Sequence, residues 1–528
     1  MISRHHTFIA LVIVIALGCA LRLVALDRIP GSNGDEAWFG VNVEERLAHR
    51  PAFERTPSGL PLDPFHIGPL EFIARISPPS FWALRFPAAL WNVLAVVLAY
   101  PLLAGPLGRC TAFVSALLIA VSPPAIAYSR ISWEPSETVF FSLLVLGLAA
   151  RGRIAAALFA FACSLLAHPT NVFLFPILAG TLWSARKPRL RVITPASILA
   201  FVTVMGVGLY LSKAVLVQGP GIARGIILPH RTEVWTRAVD PQLWMATIRG
   251  IVRLLTGVTT SQSIAGPLPS GVEMTIELAG FVLILLPIGC ALLSLRKESA
   301  RRPLLGIALG FVLTAVAFHL LAGPRAIASP HERYALVFVV SACVLIALLI
   351  EAVGRTRQWI AAFFATAWTA LNLYVFVAGY AVPFLRGGGN GHITYRTGSV
   401  EPKKAVFDFV LSELDQKETA AVLADSWWSY WPLRYLATAE SNRIQIEPGG
   451  FRHPPVVPPG AEPSALSRPP SRGFAVAFTD SSPLTIPDSG REMFVAKDPR
   501  GSPILHVFEL RPATEHQALS GRAPASEP

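Results

Sequence analysis

Residues 7–36 read TFIALVIVIALGCALRLVALDRIPGSNGDE. An apolar run over 7–26 is followed, after a short turn-rich stretch, by the adjacent carboxylates Asp35 and Glu36. A bilayer core needs ~17–25 apolar residues to be crossed by a helix. No acid is needed to complete such a span, and one on its lipid face is penalised. The pair therefore marks where the chain leaves the apolar layer. By itself it reads equally as a solvated loop, because loops are polar, so the rest of the chain has to supply a reason for an acid there.

The 528 residues have a mean hydropathy of +0.51, with 53% hydrophobic and 15% charged residues. That balance excludes an ordinary soluble domain. Apolar runs recur at 7–26, 82–104, 110–128, 137–150, 154–167, 171–184, 192–212, 276–295, 303–322, 334–352 and 358–380, which predicts a polytopic α-helical membrane protein with about eleven transmembrane helices. Short loops rich in Lys and Arg stay cytoplasmic. With Arg4 inside, every second loop is basic: Arg109; Arg151 and Arg153; Arg186, Lys187, Arg189 and Arg191; Arg296, Lys297, Arg301 and Arg302; Arg355 and Arg357. This predicts a cytoplasmic N-terminus and an exported Asp35-Glu36 loop and C-terminal segment. The formal charge of +12 is then a topology signal, and no basic stripe points to a nucleic-acid partner. The first span is too long for a signal-peptide h-region and reads as uncleaved. Cys19, Cys110, Cys163, Cys290 and Cys343 all fall in or at the ends of spans, so neither a disulfide framework nor a zinc site is expected.

Three exported segments exceed mere connectors. The first, 27–81, holds the acidic pair and then GLPLDPFHIGPLEF, in which Pro64 to Ile76 suits a short interfacial helix. The second, 213–275, carries Lys213, Arg224, Arg231, Arg237, Arg249 and Arg253 and an amphipathic stretch from Val234 to Leu255 anchored by Trp235, Leu243 and Trp244. Those cations either form a solvated face or attract anionic lipid. The third begins near 381 with RGGGNGH as a hinge, followed by a helix over Lys403 to Leu414 and a strand at AAVLAD. The aromatic run Trp427-Trp428-Ser429-Tyr430-Trp431 comes next and reads as an interfacial belt or a module core, with sugar stacking as the alternative. A Pro-rich stretch at 453–471 and strands at Phe474 to Phe478 and Ile504 to Leu510 complete a small α/β domain over 381–513, before a disordered tail at 514–528.

Four exported motifs could carry chemistry: Gly34-Asp35-Glu36, Ser129 to Glu137 (SRISWEPSE), Ala167-His168-Pro169-Thr170 and Ser329 to Tyr334 (SPHERY). They bring carboxylates, guanidinium groups and imidazoles to one face. A carboxylate can deprotonate an attacking hydroxyl, and Arg can hold and neutralise a phosphate leaving group. A phosphate monoester has a second pKa of about 6, so it departs without a general acid. One base with a cationic clamp suffices to move a sugar off a lipid phosphate.

In this order the motifs resemble the GT-C superfamily of membrane glycosyltransferases, in the branch of the protein O-mannosyltransferases and aminoarabinose-lipid A transferases. The resemblance rests on Asp35-Glu36 after the first span and the Pro-rich stretch before an interfacial helix. It continues through Ala83 to Leu90 (ALRFPAAL) entering the second span, Ser129-Arg130 followed by Glu134, and Arg333-Tyr334 near a late span. It spans roughly 5–380 and implies a catalytic transmembrane domain over 1–380 and inverting transfer from a polyprenyl-phosphate sugar, with the first-loop acid as base. Glu134 stands where many relatives have Asp, which lengthens that reach.

The expected catalytic residues are Asp35, Glu36 and Glu134. Adjacent residues on a helix point about 100° apart, so Asp35 is the base and Glu36 orients it or binds acceptor; helix N-capping competes for Asp35. A place in the first turn competes for Glu134, because Pro135 follows it. Arg130, Arg333 and His331 are expected to bind the donor phosphate, with interfacial snorkelling as the alternative for the arginines and a polar helix start for His331. His168, Arg85 and Tyr334 are expected to bind substrate, and His168 reads equally as a loop residue. The expected partners are a polyprenyl-phosphate-linked sugar, a hydroxyl acceptor on protein, lipid or glycan, and the bilayer of a bacterial inner membrane. No obligatory cofactor is expected; a divalent metal fits the same chemistry. A lipid-linked glycan polymerase or ligase, or a flippase or transporter, is the alternative. The spans carry few acids, whereas a transporter places ionisable residues near mid-membrane.

Overall fold

The structure is a computed structural model that describes residues 4–57, 59–185, 194–218, 231–294, 298–355, 357–387, 402–449, 470–479, 490–498 and 501–510. The basic loop at 186–191, most of the hinge, nearly all of the Pro-rich stretch and the tail lie outside the described residues. The chain divides into two units. One comprises Met1–Leu26, Glu54–Pro69 and Arg85–Ala381, and the other Asp27–Phe53, Leu70–Leu84 and Val382–Pro528.

Apart from α2, helices stand where apolar periodicity places them: α1 (Arg4–Leu23), α2 (Gly34–Leu47), α3 (Pro64–Ile76), α4 (Phe81–Leu107), α5 (Arg109–Val121), α6 (Pro123–Ser129), α7 (Thr138–Ala150), α8 (Ile154–Ala167) and α9 (Phe175–Ser184). The helix expected from Pro64 to Ile76 is α3. Among the described residues, five helices are long and apolar enough to cross a membrane, or six if a bent pair counts as one span. The chain is accordingly an integral membrane protein, and the described residues account for five or six of the roughly eleven spans expected. The shortfall lies partly in α7, α8 and α9, of 13, 14 and 10 residues, since a helix rises only about 1.5 Å per residue. The run at 110–128 is not one straight span either. Pro123 and Pro124 cannot continue the α5 ladder, and α6 departs from α5 by 54°.

In the first unit, Val337–Gly354 is apolar on every side and buried on almost every side, as a helix without a polar face must be. The helix Glu298–Leu321 packs on α9 through glycines. A Cβ on Gly306 would lie 2.3 Å from Ser184 Cβ and 2.5 Å from the Gly180 carbonyl, and one on Gly310 would lie 2.8 Å from the Pro176 carbonyl. Small residues let two helix backbones approach in this way. The stretch from Val234 to Leu255 is two helices, Arg231–Val239 and Pro241–Leu255, because Asp240 caps the second by accepting from Gln242 N–H at 2.8 Å. Arg249 and Arg253 there pair with Glu277, Arg253 also with Glu273, and Arg237 with Glu233. These cations are thus largely answered by carboxylates of the chain itself.

In the second unit a five-stranded sheet has the order β2-β1-β3-β5-β4. Its strands are β1 (Ala420–Ala424), β2 (Ile444–Pro448), β3 (Arg472–Phe478), β4 (Arg491–Lys497) and β5 (Pro503–Leu510). Parallel neighbours need a crossover, and helix Trp427–Ala437 supplies it between β1 and β2. The strands β2 and β4 are absent from the sequence reading; the others, and helix Pro402–Ser412, match it.

Overpacking a helix contact costs about 1–3 kcal/mol. Gly306→Val should therefore lower the thermal unfolding midpoint of the detergent-solubilised protein. Gly68→Ala, where an added methyl meets nothing within 4 Å, should leave it unchanged or raise it, since Ala in a helix is favoured over Gly by about 0.5–1 kcal/mol. Equal midpoints for the two variants would show that the glycine contact is not tight.

Candidate functional site

The acidic pair opens α2, and its two members do different things. Asn33 caps the helix: its side-chain oxygen accepts the Glu36 N–H at 3.0 Å, while Glu36 Oε1 accepts the Asn33 N–H at 3.1 Å. This reciprocal box holds Glu36 fully buried. Helix capping thus falls on Asn33, with Glu36 closing the box, rather than on Asp35. Asp35, partly exposed in the first turn, accepts a hydrogen bond from the Trp427 indole N–H at 3.0 Å. A helix N-terminus favours an anion at that place.

The Trp427 contact is close. A Cβ on Gly34 would lie 2.4 Å from Trp427 Cδ1, and one on Gly40 would lie 2.6 Å from the Tyr435 ring. Trp431 and Tyr430 are wholly buried, so most of the aromatic run is module core. Lys403, also buried, donates to the Ser32 carbonyl just before the cap. No local sequence signal announces these partners, which lie more than 350 residues from α2 in the chain.

In the first unit, Arg333 is framed by aromatic rings, 4.5 Å from the Trp133 centroid and 4.8 Å from that of Tyr334. It donates to the Pro330 carbonyl at 2.9 Å and to the Tyr334 hydroxyl at 3.2 Å. The Tyr334 ring is stacked by both His168 (5.6 Å, 20°) and His331 (6.1 Å, 8°). The structure thus gathers Arg333, Tyr334, His168 and His331. His168 caps the turn Pro169–Leu174, its Nδ1 accepting from Thr170 N–H at 3.3 Å. Burial, and then the Arg333 charge, push His168 down to about 3. The same two causes, in the same order, lower His331. Two neutral imidazoles therefore flank one guanidinium. Glu134, half-buried, begins the 3₁₀ turn Glu134–Glu137, the first-turn position that Pro135 forecasts.

Arg130 and Arg85 sit elsewhere. Arg130 donates to the carbonyls of Leu21, Val24 and Ala25 at 2.8–3.0 Å, and Arg85, fully buried, to that of Leu26 at 2.9 Å. Both guanidinium groups secure the end of α1, neither snorkelling nor joining the Arg333 cluster. Among the described residues, no group of three or more His, Cys, Asp or Glu could hold a metal ion.

A ring held neutral at a lowered pKa contributes stability that is complete above the unfolded value of about 6.5 and lost as pH falls toward 3. The unfolding midpoint of the wild-type protein should fall below pH 6.5, and less steeply in His168→Gln; an unchanged slope would show that the ring is protonated in the fold. Independently, Gly34→Ala should displace the Trp427 indole, which a red-shifted tryptophan emission would report.

Among solved structures, the chain is similar to ArnT from Cupriavidus metallidurans bound to undecaprenyl phosphate. The TM-score is 0.53 at 12% identity over 94% of this chain and 97% of that one. ArnT from the same organism in the apo state gives 0.41 at 14% identity over 96% and 98%. The Archaeoglobus fulgidus oligosaccharyltransferase in complex with Zn and sulfate gives 0.43 at 15% identity, over 82% of this chain and 62% of that one. No protein-family model and no curated protein matches the chain. The first similarity shows the fold: along almost its whole length this chain folds as that ArnT does.

Proposed function

We propose that the protein transfers a glycosyl group from a polyprenyl-phosphate-linked donor to a hydroxyl acceptor on the exported face of a bacterial inner membrane. The observation that carries the proposal is the fold shared, along almost the whole chain, with ArnT bound to undecaprenyl phosphate. Residues 1–380 form the catalytic part, and 381–513 an exported domain whose Trp427 supports the acidic helix.

In this reading Asp35 takes the proton of the acceptor hydroxyl as its oxygen attacks the anomeric carbon. The bond from that carbon to the phosphate oxygen breaks, configuration inverts, and polyprenyl phosphate leaves. The leaving group needs no proton, because its second pKa is about 6, but it needs its charge answered. Arg333 answers it. The rings of Trp133 and Tyr334 fix the guanidinium plane, and the neutral imidazoles beside it add no competing cation. Glu134 accepts from a sugar hydroxyl. Glu36 serves through the cap that fixes Asp35 at the helix start. Arg130 and Arg85 have no part in phosphate binding. These steps require no metal.

Purified protein should release polyprenyl phosphate from at least one member of a panel of polyprenyl-phosphate sugars. A positioned general base contributes about 10²–10⁴-fold, so Asp35→Asn should lower turnover by that range. Arg333→Ala, which removes a charge-assisted hydrogen bond of about 1.5–3 kcal/mol, should weaken donor use about 10–100-fold. Full turnover by Asp35→Asn would refute the assignment of the base. Translocation of the lipid by wild type without release would refute transfer itself.

A further inference from the structure

Beneath Glu134 lies a cluster that the reaction above does not use. Asp63, just before α3, His66 in its first turn, Ser132, and Glu137 at the end of the 3₁₀ turn are all buried, at 0–1% exposure. His66 Nδ1 lies 3.0 Å from Glu137 Oε1, and Nε2 lies 3.3 Å from Ser132 Oγ. One imidazole thus joins both ends of the segment 132–137, in whose middle stand Trp133, the ring under Arg333, and Glu134. In a 3₁₀ turn, side chains three residues apart eclipse, so Glu134 stands directly over Glu137. Asn92 adds a second tie by donating to the Ser136 carbonyl at 2.9 Å.

The order Ser132, His66, Glu137 is that of a serine-hydrolase triad. A nucleophile must meet its substrate, however, and Ser132 has no exposed surface. The hydrogen bonds instead form a buried chain from Ser132 through His66 to Glu137. Burial, followed by the adjoining Glu137 carboxylate, holds Asp63 well above the usual carboxylate range. Burial likewise pushes Glu137 up to about 8. Burial also pushes His66 down to about 4, so the neutral ring gives its Nδ1–H to Glu137 and accepts from the Ser132 hydroxyl.

We infer that His66, Glu137 and Asp63 form a buried clasp that positions Glu134 and Trp133 for glycosyl transfer, making them positioning residues of the reaction proposed above. Nothing in the clasp touches substrate; it acts through the turn.

Two readouts test it. In hydrogen exchange, His66→Ala should speed the amides of Trp133 and Ser136, which close the turn on the Ile131 and Trp133 carbonyls, by at least about tenfold while amides of Val337–Gly354 stay protected. This arm holds whatever the protein catalyses, so unchanged exchange at the turn, or loss of protection everywhere, overturns the clasp. In release of polyprenyl phosphate, His66→Ala should lose about a hundredfold in kcat/KM, the scale of a misplacement of about 1 Å. In the Glu134→Gln background the further loss should be below about threefold, since groups acting as a unit are not additive. Full, multiplicative losses in both backgrounds would overturn positioning through Glu134. Should His66→Ala fail to fold, Glu137→Gln serves. Its amide can still accept from His66 and donate to Asp63, so it should retain activity within about threefold; a loss as large as that of Glu134→Gln would show that the charge, not the clasp, is what matters. Absence of release by wild type would sink the proposed function while leaving the exchange result to decide the clasp.

Discussion

Every helix end leaves carbonyls without partners, and a buried end must find its donors within the chain. This chain meets that constraint with buried arginines. Arg22 reaches the Ile119 and Ala120 carbonyls left open where α5 breaks, Arg130 takes those of Leu21, Val24 and Ala25, and Arg85 takes that of Leu26. A guanidinium offers five donors in a rigid fork, so a few side chains close the end of α1 and bind it to the broken span beside it. The segment that leads on to the acidic helix departs from this fixed point.

What could be read from the sequence follows the range of each interaction. Apolar periodicity is local, and it placed α3, the crossover strands β1 and β3, and helices at the hydrophobic runs. It did not foresee the bend at Pro123, because a run of apolar residues looks the same straight or broken. Nor did it find β2, whose alternation Ile444-Gln445-Ile446-Glu447 covers only four residues, or β4, which does not alternate. For the candidate site, the different settings of Asp35 and Glu36 followed from helix geometry, which points adjacent side chains about 100° apart. The partners did not: Trp427 reaches Asp35 across 392 positions, and His66 reaches Glu137 across 71.

Arg130 and Arg333 show why residue type does not decide role. Each follows a polar exported motif, and each was a candidate for phosphate. Arg130 faces main-chain carbonyls, which absorb its donors. Arg333 faces the π-surfaces of Trp133 and Tyr334, which attract the cation, while its edge donates to the Pro330 carbonyl and the Tyr334 hydroxyl. The same charge meets carbonyl oxygens in one setting and aromatic faces in the other. The flanking imidazoles, kept neutral by burial, do not repel it.

The fit of Gly34 and Gly40 against the Trp427–Ala437 helix bears on how such a chain can be altered. At both positions a single methyl would collide with an aromatic side chain from the far end of the sequence. The acidic helix and the C-terminal helix are therefore complementary surfaces rather than a working part with an accessory attached. Exchanging the C-terminal module for that of a protein of the same fold would place unfamiliar side chains against two bare stretches of helix. A functional chimera would have to carry residues 31–53 across with the module, so the two travel as one inherited piece although more than 300 residues of chain separate them.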